Sequence, residues 1–88
     1  MLDYYFQNQF KKDIKLLKKH GKNLDKIYDV VVALIWGEPL PERCREHKLH
    51  GDLDGYTECH IEGDWVMLYI TDGEKISFSY TGTHSDYL

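Results

Sequence analysis

The sequence predicts an α+β domain in which two N-terminal helices pack on one face of a small antiparallel sheet. Three observations predict it. Apolar residues recur at helical spacing up to residue 36, the period shortens to two after residue 55, and hairpin-type turns separate the later segments. A chain of 88 residues can bury one modest core, so residues 1–88 are read as a single domain.

Phe6, Phe10, Ile14 and Leu17 form the first helical stripe, with Lys11, Lys12, Lys15, Lys18 and Lys19 largely on the other side. Gly21 suits a helix stop and Asn23 a cap for the next helix. Leu24, Ile27, Tyr28, Val31, Leu34 and Ile35 make a second stripe. Val30, Val32 and Ala33 widen it, so the second helix is expected to be the more deeply buried. Gly37, Pro39 and Pro41 end it. Residues 37 to about 54 are polar and irregular, and a loop this long in a small domain is often functional. Residues 56–61, 65–70 and 75–80 read as short strands, joined by turns at Glu62-Gly63 and Asp72-Gly73. Residues 2–6 read as a further strand.

Composition narrows the functional classes. No stretch approaches the roughly 20 apolar residues that span a bilayer, and the N-terminus lacks the basic and apolar regions of a secretory signal. Cys44 and Cys59 are too few for a disulfide framework. A cytoplasmic protein with free thiols and no membrane association is expected. Charge is unevenly spread. Residues 1–26 hold seven lysines against three aspartates, whereas the remaining 62 hold four basic and twelve acidic residues. A polyanion would therefore approach the N-terminal third and be repelled elsewhere.

The residues with chemical potential cluster late in the chain. His60 and Asp64 flank the turn Ile61-Glu62-Gly63, where cross-strand neighbours have Cβ atoms roughly 4.5–5.5 Å apart. That distance suits a carboxylate orienting an imidazole. Strand parity puts Tyr56, Glu58 and His60 on one face. On the next strand it separates Trp65, Met67 and Tyr69 from Val66, Leu68 and Ile70. The all-aliphatic set is the better core candidate, which would leave Trp65 on the open face to stack on a base. His47 precedes the first of these strands and His84 follows the last. Cys44 and His47 form C-x-x-H, but the adjacent Cys59 and His60 point to opposite faces, so no zinc site is expected.

The string His47-x-Leu49-x-Gly51, then Gly55-Tyr56-x-Glu58-Cys59-His60-Ile61-Glu62-x-Asp64-Trp65, then Tyr69 and Thr81-Gly82-Thr83-His84-Ser85-Asp86, resembles the YafQ family of type II toxins, within the RelE superfamily. The resemblance covers the whole chain and implies a RelE-like microbial RNase fold. It implies a toxin that enters the ribosomal A site and cleaves mRNA, held inactive by an antitoxin of RelB/DinJ type. Positions matching His47, His60, Asp64 and His84 form the family's active site. The position matching Trp65 helps to place mRNA, as does an aromatic near the C-terminus, here Tyr87.

The resemblance implies cleavage without metal or other cofactor. Such cleavage needs a base for the 2′-OH and an acid for the 5′-oxygen, roles that histidines fill near neutral pH. His84 is the expected acid; the base is His47, or His60 tuned by Asp64. The antitoxin is expected to cover Lys11, Lys12, Lys15, Lys18 and Lys19. This chain departs from its relatives at two positions where they carry arginine, Thr57 and Tyr80. Its last aromatic also lies three residues after His84, where relatives place it at four. These departures favour an alternative, a weakened or non-catalytic toxin-fold protein that acts by binding an antitoxin or another target.

Overall fold

In the computed structural model, which describes residues 1–86 and of His84 the backbone alone, the chain runs β1 (Asp3–Phe6), α1 (Asn8–Lys19), α2 (Asp25–Trp36), β2 (His47–Lys48), β3 (Thr57–Glu62), β4 (Trp65–Thr71) and β5 (Lys75–Thr83). Short 3-10 turns cover Glu42–Cys44, Gly51–Leu53 and His84–Asp86.

The strands form one sheet in the order β1-β5-β4-β3-β2. Its last four strands are antiparallel neighbours, but β1 runs parallel to β5, so the sheet is mixed rather than purely antiparallel. The helical pair carries the chain from β1 across to β2 at the far edge, and the antiparallel strands then bring it back to lie beside β1. Phe6 belongs to β1, not to the helical stripe, yet its ring stacks on those of Phe10 and Phe78. It therefore joins the core from the strand side.

The helices end where sequence chemistry places their ends. Gly37 takes φ 73° as the left-handed cap of α2, a conformation that disfavours residues with a Cβ. The Asn23 side-chain oxygen accepts the Asp25 N–H (3.1 Å), one of the donors left without an intrahelical partner. Ile27, Val30, Val31 and Ile35 of α2 are buried, against Phe10 alone in α1, as the wider stripe predicts. A carboxylate also ties α1 to the sheet: Asp13 accepts the Thr81 N–H (3.1 Å).

Strand alternation is as expected, but the faces are exchanged. Trp65, Met67 and Tyr69 point into the core with Cys59, Ile61, Ile76 and Phe78. The space between helices and sheet takes the bulky set. Ile70, from the aliphatic set, is 39% exposed. Trp65 is thus no platform on an open face: it is 2% exposed, and its Nε1–H donates to Thr81 Oγ1 at 2.8 Å. Burial of the indole with its one donor satisfied leaves no ring surface for a base.

Candidate active site

The face turned away from the helices carries two cross-strand rows. One runs His47, Glu58, Leu68, Tyr80 across β2 to β5. The other runs His60, Val66, Gly82 across β3 to β5. Neighbouring strands lie about 4.8 Å apart, so each row packs side chains shoulder to shoulder. Val66 and Leu68, both fully buried, make an apolar floor beside the polar groups.

His47, Glu58 and His60 converge on that floor. Glu58 Oε1 lies 3.2 Å from His47 Nε2 and 3.4 Å from His60 Nε2. The carboxylate is 1% exposed, while the imidazoles are 51% and 28% exposed. A buried anion thus sits behind two rings that reach solvent. On its other side His47 Nδ1 is 3.1 Å from the Arg45 carbonyl. A carbonyl can only accept, so this contact holds the ring with Nε2 turned towards the carboxylate. Two imidazoles brought to one carboxylate are side chains of the kind that acid–base chemistry uses.

Glu58 was not among the residues the sequence singled out. Its signal was present: a carboxylate two residues before a histidine in the same strand must share that histidine's face. Asp64 was expected in the role Glu58 fills. The residue paired with His60 is Val66, because a register shift between His60 and Glu62 gives β3 an extra residue, and Glu62 pairs with Trp65. Asp64 is left exposed in the turn itself. A bulge of this kind changes which side chains meet without changing the alternation around it.

The backbone of His84 opens the turn after β5, beyond the pair Thr83–Trp65, at the sheet end where the β3–β4 hairpin turns. Asp86 holds this turn by accepting the Thr83 N–H at 2.9 Å. A Cβ on Gly82 would meet Asp86 Oδ2 at 2.7 Å, so glycine at this position makes room for the carboxylate. Tyr87 lies outside the described residues.

Donor chemistry also suits a cation: one ligand atom each from His47, Glu58 and His60 lies within 4.8 Å of the others. The two cysteines do not join them. Cys59 faces the core as a free thiol that donates to the His60 carbonyl (3.8 Å); burial first, then the neighbouring Cys44, holds its thiol well above the usual range.

Comparisons with known proteins show the family. A family model described as the bacterial toxin of type II toxin-antitoxin system, YafQ, matches residues 2–88. This chain belongs to the YafQ family. The mRNA interferase toxin YafQ of Escherichia coli K12 is 34% identical over 84 residues, which are 94% of this chain and 91% of that protein. The E. coli DinJ–YafQ toxin–antitoxin complex contains a chain that superposes with a TM-score of 0.91 at 33% identity, covering 99% of this chain and 97% of that one. A metal-bound toxin from Helicobacter pylori superposes with a TM-score of 0.90 at 32% identity over the whole of both chains.

Proposed function

We propose that this YafQ-family chain is an endoribonuclease toxin that cleaves mRNA on the ribosome by histidine acid–base catalysis. The observation that carries it is the convergence of His47 and His60 on the buried Glu58. In the reaction, one imidazole takes the proton of a 2′-OH as that oxygen attacks the adjacent phosphate. The 5′-oxygen leaves with a proton from the acid, for which His84 is the candidate. Glu58 holds the charge of whichever ring is protonated. The chain's net charge of −4 opposes capture of free RNA, so the ribosome supplies much of the positioning.

The test is cleavage of ribosome-bound mRNA by the purified protein. We expect 2′,3′-cyclic phosphate and 5′-hydroxyl ends, and a cut that survives chelation when ribosomes are pre-assembled. Added copper or zinc should inhibit, since the atoms that would ligate it are those that move protons. Intact mRNA with the wild-type protein and fresh ribosomes would end the nuclease reading. The binding-only reading, favoured by Thr57 and Tyr80 standing where relatives have arginine, would then take its place.

The partner we assign is a RelB/DinJ-type antitoxin, as in the related E. coli complex. Lys11, Lys12, Lys15, Lys18 and Lys19 are all exposed on α1. Lys11 and Lys15 border an apolar groove of about 360 Å³ lined by Phe6, Phe10, Ile14 and Tyr28. An acidic amphipathic helix fits a groove with that rim. Its affinity should fall with added salt, and an affinity indifferent to salt would mean that apolar contacts alone hold the antitoxin.

A further inference from the structure

The chain has two arginines, Arg43 and Arg45, and both line one cleft with His60. The cleft measures about 620 Å³, within the range of nucleotide-sized ligand pockets. It opens beside β3 because β2 pairs only with Thr57 and Glu58, so the strand from Cys59 onward has no strand on that side. Lys26 of α2 adds a third cation, while Asp29 and Glu62 supply the anions; Lys26 and Glu62 are ion-paired with each other. The two arginines therefore set the sign of the cleft in a chain whose residues beyond 26 are strongly acidic.

Arg45 carries a second, independent mark. It takes φ 45° and ψ 51°, the left-handed region, and among the described residues it is the one non-glycine with positive φ. An arginine is an unfavourable choice there unless its side chain is needed, because glycine would adopt the same turn without strain. The strained turn also aims the Arg45 carbonyl at His47 Nδ1 (3.1 Å). One residue thus contacts an imidazole through its backbone and also lines the cleft.

We propose that Arg43 and Arg45 are the phosphate-binding residues of this nuclease site, seating the RNA backbone beside His60. Guanidinium groups suit the task, since their planar fork meets phosphate oxygens two at a time. The inference rests on the nuclease reading above and adds the residues that hold the substrate.

The experiment compares Arg43→Gln, Arg45→Gln, Arg45→Lys and Arg45→Gly with wild type. Cleavage is measured on ribosome-bound mRNA, binding on a 2′-O-methyl RNA oligonucleotide over a range of salt, and stability by thermal melting. Each glutamine variant should lose about 10²-fold in cleavage rate, the size typical of one lost transition-state donor. Each should also lower the salt slope of binding by about one. Arg45→Lys should recover part of the rate. Arg45→Gly should melt no lower than wild type, since it relieves the turn, yet cut as slowly as Arg45→Gln. Full activity in Arg45→Gly or in the glutamine variants overturns the proposal while the nuclease reading stands. Unchanged cleavage with weakened antitoxin binding also overturns it and makes the cleft an antitoxin contact. A wild type that cuts nothing fails the nuclease reading itself, and the proposal with it.

Discussion

One sheet has two faces of opposite character, written by alternate residues of the same strands. On β4, Trp65, Met67 and Tyr69 fill the space under the helices, while Val66 and Leu68 lie beside His60 and Glu58. On β3, Cys59 and Ile61 belong to the core and Glu58 and His60 to the site. The core face is filled by bulky apolar side chains; the other sets two imidazoles and a carboxylate beside a buried apolar floor. The two can therefore be separated by experiment: variants of the helix-side face should move the melting temperature, and variants of the opposite face should move the rate.

The largest separation is expected at the imidazole–carboxylate trio. His60→Ala and Glu58→Gln should each lower the cleavage rate by roughly 10²–10⁴-fold, the range of general acid–base contributions. His60→Ala should keep a near-native melting temperature. Asp64→Ala, at the exposed turn, should cost far less than Glu58→Gln in the same assay. A greater loss at Asp64 would restore the pairing that the register removes.

On the opposite face, Trp65→Ala should destabilise the fold by about 3–5 kcal/mol, the usual cost of emptying a large aromatic site. Chemical denaturation measures it directly. Trp65→Phe should regain most of that stability and, with it, the activity. A stable Trp65→Phe that binds mRNA poorly would give the indole a role in substrate contact despite its burial.

Restored arginines sharpen the comparison further. Tyr80 shares a cross-strand row with Glu58, whereas Thr57 pairs with Tyr69 on the core-facing parity. Tyr80→Arg should therefore raise the cleavage rate several-fold, up to the roughly 10² that one charge-stabilising donor supplies. Thr57→Arg should not, because it puts the cation on the core side near Glu46, which accepts the Tyr69 hydroxyl. Equal gains at both positions would show that parity does not decide access to phosphate.

A smaller effect should appear with pH. Burial, first of all, holds the Cys59 thiol and the Tyr69 phenol neutral well above their ordinary values of 9.0 and 10.0. Raised folded values mean that this stability is complete below about pH 9 and is lost as pH rises, since the unfolded chain ionises first. Thermal melts from pH 7 to 11 should decline more steeply for wild type than for Tyr69→Phe. Parallel curves would mean that these groups are not shielded from water.

Much of this was legible in the sequence because it is local. The α2 stripe, the Gly37 stop, the hairpin turns and the alternation of β3 and β4 each depend on residues within a few positions of one another. The shared face of Glu58 and His60 follows from that alternation alone. The family motifs added the outer histidines, His47 and His84, which no local rule ties to the sheet.

Tertiary structure decided the rest, in each instance through contacts between distant segments. Whether the aromatic or the aliphatic half of β4 turns inward depends on the volume left between sheet and helices, which includes Phe10 and Ile27 from far earlier in the chain. The parallel pairing of β1 with β5 joins residues more than 70 positions apart, at Tyr4 and Ile76. One extra residue in the β3–β4 hairpin removed Asp64 from His60, and the two-residue strand β2 delivered His47 to Glu58 in its stead. The arginine cleft is of the same kind: Arg43 and Arg45 read as loop charge until the fold sets them beside a histidine fifteen residues or more away. Alternation tells which residues travel together, but only packing tells which face is buried and what meets across it.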